Sequence, residues 1–478
     1  MVNLAMLPLI LDSLGAELYG AWVTVASVLT IGGLSDAGVR TEIVRRVAAA
    51  RGEGNLHGLV QAVQQGITLL VGIMSCVFFA GFVAAPFLRE FAFPAGVPGY
   101  SDQNVELLIR CTIGLLALSV VANAYFAVLR GIQRGDVENI ARAVGVPINL
   151  AVTAIGIRAG QGLWALFWGS CVSLLATLAW QWVASRRFVP ALRVRLIRVS
   201  REALTSYLAF SGLALVSQVA DVVDNQWDKL ILSHIVGSEA VAAFQIGTSL
   251  VLQAKGLALL PLVPLLAASA ELRVREPDRL KRIDHLLGKA TMVIGAMVLS
   301  GVFVFGPAFA RLWLDSNVQE VDSAIRLFTI AMGFALCGAP TYFKAIGYGW
   351  HKVVAVSALA NLMVNSVASL GLTLVVGFEG ALYGSIIGNA LGTLVLLALV
   401  RRKSGSDWRR PPLAAFALGL TAAVSATALQ IGTVSSWLGM GTRAIPFAAV
   451  LLLGGLAVER VKVRQFRSLR GAARSTSW

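Results

Sequence analysis

The stretch LGAELYGAWVTVASVLTIGGLSDAGVRTEIVRRVAAARGEG, Leu14–Gly54, contains three features in a fixed order. A polar elbow, Leu14–Gly20, is followed by an apolar helix from Ala21 to about Leu34, and then by a segment with four arginines. This order is typical of a membrane helix that leaves the bilayer on its cytoplasmic side, because Lys and Arg are enriched in cytoplasmic loops. The stretch therefore predicts a membrane protein and the direction of one of its spans.

The composition extends this prediction to the whole chain. Of the 478 residues, 57% are hydrophobic and only 14% are charged, which excludes an ordinary soluble protein. Apolar runs long enough to cross a bilayer, about 20 residues each, follow one another along nearly the whole sequence. They are continuous rather than alternating, which excludes a β-barrel. We expect an all-α polytopic membrane protein with about 14 transmembrane helices.

The net charge of +15 is distributed in a way that excludes nucleic-acid binding. Most Lys and Arg residues lie in loops after every second helix: 40–51, 130–142, 186–201, 273–289, 401–410 and 460–474. This alternation predicts that these loops and the C-terminus are cytoplasmic. We expect no nucleic-acid partner, because no basic, aromatic surface domain is present.

An internal repeat relates the two halves of the chain. The elbow Leu14–Trp22 returns as VGSEAVAAF at Val236–Phe244, and three further matches follow at nearly constant spacing. They pair ELLIR (106–110) with DSAIR (322–326), AYFAVLRG (124–131) with TYFKAIGY (341–348), and Asn149, Gly160 and Gly162 with Asn365, Gly377 and Gly380. Each copy has six helices, so both enter the membrane in the same sense and are related by a pseudo-two-fold axis along the membrane normal.

The repeat predicts four domains: a six-helix bundle at 1–185, a cytoplasmic amphipathic linker at 186–205, a second six-helix bundle at 206–402, and an appended two-helix hairpin with a basic tail at 403–478. The linker alternates Arg with apolar residues, so we expect it to lie along the inner headgroups. Residues 1–11 reach only about 17 Å as a helix. We therefore expect that the first helix is truncated, by start-site choice or by a shortened sequence.

The opening stretch also carries a family resemblance. Its elbow, the helix ending near Ser35-Asp36-Ala37-Gly38, the Arg45-Arg46 pair and the Gly52-Glu53-Gly54 turn resemble the start of O-antigen-type polysaccharide flippases. These belong to the multidrug/oligosaccharidyl-lipid/polysaccharide exporter superfamily, and the similarity in helix pattern covers nearly the whole chain.

The resemblance implies a transporter that flips a polyprenyl-diphosphate-linked oligosaccharide across the bacterial cytoplasmic (inner) membrane by alternating access, in lipopolysaccharide O-antigen or exopolysaccharide synthesis. Glycan polymerases or glycosyltransferases are its implied partners. Three alternatives stay open: a cation-coupled multidrug or metabolite antiporter of the same superfamily, a peptidoglycan-precursor flippase, and a non-transporting membrane scaffold. The sister precursor flippases use several cavity arginines in the first bundle, where this sequence offers few.

Charges inside apolar helices identify candidate site residues, because each costs about 2.5–3.5 kcal/mol at the bilayer centre and should face a cavity or a partner. The seventh predicted helix has a polar stripe on one face: Gln218, Asp221, Asp224, Asn225, Asp228 and Lys229. The stripe predicts a polar cavity wall in which Asp221, the deepest acid, binds a proton, a sodium ion or sugar hydroxyls. The alternative is that Asp224 and Asp228 pair with Lys229 at the outer interface.

The eighth helix carries Lys255 beside Gln253. Lys255 is predicted either to meet the lipid diphosphate or to form an ion pair with Asp221. Arg110 and Arg326 are repeat mates near the outer helix ends, and each follows an acid by one helical turn. The two arginines are predicted either to form ion pairs with these acids or to form an outer rim that attracts anions.

The remaining predictions concern the inner gate, helix packing and catalysis. The inner gate is predicted as an ion-pair network of Asp36, Arg40, Arg45 and Arg46, and the recurring glycines Gly384, Gly388 and Gly392 predict close helix packing. The four histidines and four cysteines have no metal-ligand or disulfide spacing, and no nucleotide-binding loop is present. We expect no enzyme activity, no metal and no cofactor. Transport is then driven by an H⁺ or Na⁺ gradient, by the substrate gradient, or by a partner.

Overall fold

The computed structural model describes residues 6–32, 38–192, 195–199, 201, 207, 212–262, 277–314, 319–404, 418, 422–423, 426 and 436–458. This part of the chain contains thirteen α-helices, one 3₁₀ turn at Leu260–Leu262, and no β-sheet. The chain divides into two compact units, Met1–Ala242 and Ala243–Trp478.

The helices of the first unit are α1 (Leu7–Gly32), α2 (Val39–Gly52), α3 (Leu56–Ala92), α4 (Asp102–Gly131), α5 (Gly135–Arg158), α6 (Leu163–Phe188) and α7 (Gly212–Ile235). They are followed by α8 (Ser238–Leu259), α9 (Pro277–Leu314), α10 (Gln319–Gly347), α11 (His351–Val376), α12 (Phe378–Ser404) and α13 (Trp437–Val458). The predicted thirteenth span, at about 413–431, lies almost wholly outside the described residues.

Ten of the thirteen described helices are long and apolar enough to cross a membrane. The chain is a multi-pass membrane protein, and the all-α polytopic prediction is confirmed. The three helices that fall short are α2, α7 and α8. In α7 the reason is its four charged residues within two turns, which are the stripe that makes this helix a candidate site.

The first described helix contains a break inside the predicted elbow, but the break is narrower than predicted. α1 (Leu7–Gly32) consists of two helices joined across a kink at Gly15, which has φ 81° and ψ 166°. Such a positive φ is easily reached only by glycine. The predicted seven-residue elbow is therefore a kink at a single residue.

The basic segment after α1 also differs from the prediction, because it folds as the helix α2. Val39, Ile43, Val47 and Ala50 recur at helical spacing, and all four are buried. They pack in one apolar cluster with α3 and α4. At the end of α2, the Arg51 guanidinium donates a hydrogen bond to the carbonyl of Ile132.

The described part of the linker docks on the first unit rather than lying only along headgroups. Val189 and Leu192 of the linker, and Tyr207 just beyond it, are buried in the same cluster as α2–α4. The amide of Ile197 donates to the Thr68 hydroxyl on α3 at 3.1 Å, and the Tyr207 hydroxyl donates to the Ala62 carbonyl at 2.7 Å. The arginines in the described part of the linker are exposed, whereas Val189 and Leu192 pack inward and Leu196 is exposed.

The helical hairpins α5–α6 and α11–α12 show the duplication locally. Each turns at a glycine with nearly the same unusual backbone, Gly162 at φ 57°, ψ −130° and Gly377 at φ 67°, ψ −135°. The structure therefore pairs Gly162 with Gly377, and the predicted pairing of Gly162 with Gly380 is wrong. In each, a glycine of the second helix lies directly against a hydroxyl residue of the first, Gly169 against Thr153 and Gly384 against Ser369.

The glycine stripe of α12 packs as predicted. A methyl group at Gly388 would lie 2.7 Å from the Asn365 Cβ, and one at Gly392 would lie 2.8 Å from the Asn361 Cβ. Both distances are too short for carbon atoms, so only glycine allows this approach of α11 and α12.

Candidate functional site

The polar stripe of α7 combines buried and exposed groups. Asp228 is buried, at 3% exposure, Asp224 is half-buried, and Asp221 and Asn225 are exposed. The Asn225 amide donates to the Asp221 carbonyl oxygen at 2.6 Å, so it leaves the Asp221 carboxylate to other partners. Gln218 lies on α7, but its side chain is outside the described part.

Lys229 is half-buried and donates a hydrogen bond to the Gln226 Oε1 at 2.8 Å. The two residues are one helical turn apart, and this contact was not predicted. It supplies the ammonium with a neutral partner on its own helix.

The C-terminal end of α7 is attached to the C-terminal end of α3. The Ser233 hydroxyl donates to the Ala92 carbonyl at 2.6 Å in a buried contact. The His234 ring stacks on Phe91 with centroids 4.8 Å apart, and its Nδ1 lies 2.7 Å from the Phe91 carbonyl oxygen.

The two predicted copies of the elbow also meet at this end of α7. Gly20 lies directly against the carbonyl of Ser238 and near the amide of Ala242, with no room for a side chain. The repeated motif therefore has a packing role that its sequence alone did not reveal.

In the second unit, Lys255 of α8 is half-buried and lies 3.4 Å from the Met332 Sδ on α10. A thioether is a weak, uncharged acceptor, so this contact does not neutralise the ammonium. Gln253 is also half-buried. Asp221 and Lys255 belong to different units, and their pairing stays a prediction.

The two rim arginines have different surroundings. Arg110 forms the predicted ion pair with Glu106 one turn earlier, and its guanidinium lies 4.5 Å from the centre of the Phe82 ring. Asp322, the corresponding acid of the second copy, forms its ion pair with Arg311 at 3.0 Å. The predicted pairing of Asp322 with Arg326 is therefore wrong: the acid is taken by a residue from across the α9–α10 loop, which a rule based on helical spacing cannot anticipate.

At the basic end of the first unit, two of the predicted inner-gate arginines converge on Glu42 of α2. The buried carboxylate of Glu42 accepts from the Arg45 Nε at 2.7 Å and from the Arg46 Nε at 2.8 Å. Burial raises the pKa of this carboxyl, but the hydrogen bonds with both arginines outweigh it and hold the pKa below its ordinary value. Arg40 is half-buried on the same helix, and Asp36 lies outside the described residues.

The same cluster extends to Tyr207, just beyond the linker. The Arg46 guanidinium lies 4.3 Å from the centre of the fully buried Tyr207 ring. It also contacts the Gln65 Oε1 of α3 at 3.5 Å. The contacts of Glu42 with Arg45 and Arg46 follow helical spacing and lie within the ion-pair network expected here. The contact of Arg46 with Tyr207 was not predicted, because it joins residues far apart in the sequence.

Comparison with known proteins places the chain in a family. The sequence model of a family described as "Polysaccharide biosynthesis protein" matches residues 1–270, which is more than half of the 478 residues. The chain belongs to this family. A curated relative of this family member, the "Putative O-antigen transporter" of Shigella flexneri, is 21% identical over 358 residues, covering 73% of this chain and 82% of the relative.

Two solved structures support the fold of this family member. An inward-facing multidrug resistance MATE family transporter of the MOP superfamily aligns with a TM-score of 0.72 and 18% identity, over 85% of this chain and 94% of that one. The lipid II flippase MurJ, in an inward closed conformation, aligns with a TM-score of 0.72 and 11% identity, over 96% of both chains. These likenesses confirm the predicted superfamily fold, and the matches point to transporters rather than to enzymes.

Proposed function

We propose that this protein flips a polyprenyl-diphosphate-linked oligosaccharide from the inner to the outer leaflet of the bacterial cytoplasmic membrane by alternating access. Its membership of the polysaccharide biosynthesis family and its relative's name as an O-antigen transporter support this substrate class. The fold it shares with a lipid flippase and with multidrug transporters supports the type of mechanism.

The polar stripe of α7 is the observation that carries the proposal. Four charged residues lie within nine positions of a helix that runs among apolar ones. Each costs about 2.5–3.5 kcal/mol at the centre of a bilayer unless it meets water or a partner. A scaffold that does not transport has no need of such a stripe, whereas a carrier of sugars requires a hydrated surface at this depth.

The physical task explains why the path must be polar. Moving a sugar-diphosphate headgroup through hydrocarbon without hydrogen-bond partners carries a very large desolvation cost. A wet groove beside the lipid removes most of that cost while the polyprenyl tail stays among acyl chains. In this proposal Asp221 binds the coupling ion, H⁺ or Na⁺, or the sugar hydroxyls, and Lys255 meets the diphosphate.

The orientation and partners follow from the charge pattern and the family. We place the C-terminus and the basic loops, including α2 and the linker, in the cytoplasm. A glycosyltransferase or glycan polymerase acting on the same lipid-linked intermediate is the expected partner. The rival is a cation-coupled multidrug antiporter, which has the same fold and differs in its cargo.

Reconstitution tests the proposal directly. The purified protein is placed in proteoliposomes with a fluorescent, short-chain polyprenyl-diphosphate oligosaccharide, and flipping is followed with a membrane-impermeant glycosidase. We expect protein-dependent flipping that is lost in Asp221→Asn and in Lys255→Met. The matched controls are Glu53→Gln and Lys352→Ala, which change exposed residues outside the site and should flip at the wild-type rate.

The outcomes separate the alternatives. Absence of flipping by wild-type protein that exports cationic dyes would refute the proposal in favour of the antiporter. Normal flipping by both site variants would leave the function standing and refute the assignment of Asp221 and Lys255.

A further inference from the structure

The first copy of the repeat balances two arginines with two acids where α3 ends and α4 begins. Arg89, in the last turn of α3, pairs with Asp102 at 3.2 Å. Arg110 pairs with Glu106, and its Nε also lies 3.4 Å from the Phe82 carbonyl. Arg110 is therefore held by an acid, a carbonyl and an aromatic face.

The second copy has the same two arginines but a different pairing where α9 ends and α10 begins. Arg311 lies in the last turn of α9, as Arg89 lies in the last turn of α3. Arg311 forms an ion pair with Asp322 at 3.0 Å. Asp322 corresponds to Glu106, which in the first copy pairs with Arg110. Arg326, the repeat mate of Arg110, is left without an ion pair or hydrogen bond to any residue in the described ranges, and its Nε is buried with no partner there.

The sequence explains the difference. In the first copy, Asp102, the partner of Arg89, lies four residues before Glu106. In the second copy, the residue four before Asp322 is the apolar Val318. The second copy thus has no acid at the position of Asp102. Arg311 pairs with Asp322 instead, and Arg326 keeps only a longer-range attraction to Asp322.

Two other acids near this position do not replace the missing one. Glu320 precedes Arg326 by six residues, which places it about 240° away around the helix. Glu379 of α12 accepts hydrogen bonds from Ser323 at 2.9 Å and from Tyr383 at 3.1 Å. Arg89 also has a buried Nε without a partner, but its guanidinium pairs with Asp102. Among these four arginines, Arg326 is therefore the one without an ion pair or hydrogen bond to any described residue.

We propose that Arg326, and not its repeat mate Arg110, binds the phosphate groups of the lipid-linked substrate at the end of the second unit where α9, α10 and α12 meet. The proposal rests on the proposed function and specifies which of the two rim arginines contacts cargo. A guanidinium offers a planar fork of donors that matches phosphate oxygens in a bidentate way. Binding a phosphate would satisfy the buried Nε, whose desolvation is otherwise uncompensated. The charge pattern predicts that this end faces the outer leaflet, where the headgroup is released.

Native mass spectrometry of the purified full-length protein in detergent tests the assignment. The probes are a short-chain polyprenyl diphosphate, the polyprenyl alcohol of the same length, and inorganic diphosphate. The variants are Arg326→Gln, Arg326→Lys and the matched control Arg110→Gln, each checked for wild-type elution and thermal unfolding. We expect Arg326→Gln to weaken binding of the polyprenyl diphosphate by about tenfold or more, Arg326→Lys to restore part of it, and Arg110→Gln to bind as the wild type does.

A fourth variant tests the charge balance. Arg311→Gln frees Asp322 to pair with Arg326, so it should weaken diphosphate binding although Arg326 is intact. Binding of the alcohol should not change in any variant.

Three results would overturn the inference. One is wild-type binding of the polyprenyl diphosphate by Arg326→Gln, and another is an equal loss in Arg110→Gln. The third is a loss confined to inorganic diphosphate, which would show a free-anion site instead of a lipid site. If wild-type protein binds the diphosphate lipid no better than the alcohol, the proposed function itself fails, which is a different result from the first two.

Discussion

Glu42→Gln is expected to destabilise the basic end of the first unit, because Glu42 is the buried hub of an ion-pair cluster. The carboxylate is fully buried and joins Arg45 and Arg46 on α2. Breaking a fully buried pair costs about 3–5 kcal/mol. The Arg45 side chain is 49% exposed and that of Arg46 is 24% exposed, so solvent screening reduces the expected loss to about 2 kcal/mol.

Thermal unfolding in detergent as a function of pH measures this loss. The pKa of Glu42 is lowered in the folded protein, so its stabilisation is fully present above the ordinary carboxyl pKa, about 4.3, and is lost as the pH falls through the folded value. The wild type should therefore melt higher than Glu42→Gln at pH 7, and the difference should shrink below about pH 4. Equal melting temperatures at pH 7, or a difference that persists in acid, would refute the reasoning. Glu53→Gln, an exposed acid just beyond the same helix, is the control.

Three further predictions concern packing. Tyr207→Phe removes the buried hydrogen bond to the Ala62 carbonyl and should cost about 1 kcal/mol in thermal unfolding while the ring keeps its place over Arg46. Gly388→Leu should abolish stable expression, since even a methyl group would overlap Asn365, whereas substitution of the exposed Met363 by Leu should be neutral. Ser233→Ala should loosen the end of α7, seen as faster amide exchange there, and unchanged protection would contradict that fastening.

Regular helices were predictable because their apolar runs exceed the span length. The sixth span starts at Leu163 in both prediction and structure, and most other helices are a few residues longer than predicted. Most of these extra turns are polar, because helices continue beyond the bilayer, where hydropathy gives no information. The end of α3, residues 83–92, is mainly apolar and is the exception. Asn55 and Ser101 are the N-caps at which α3 and α4 begin. This local pattern could have been used to predict where these two helices start.

Contacts between elements were not predictable from spacing alone. The kink of α1 is at Gly15 because one glycine adopts a positive φ, whereas the sequence marked seven residues as irregular. The pairing of Asp322 with Arg311 joins two different helices, α9 and α10, and spacing within one helix does not anticipate it. The polar stripe of α7 was identified because charged residues in an apolar context are costly, but which of its members are buried required the packing against α1 and α3.

Flipping in proteoliposomes by Asp221→Asn is the most direct test of the central claim that a hydrated path along α7 carries the headgroup. The substitution preserves the shape of an exposed side chain and removes its charge. The account predicts that flipping of the polyprenyl-diphosphate oligosaccharide falls to the rate of protein-free liposomes while the protein stays folded. Flipping at the wild-type rate would contradict it.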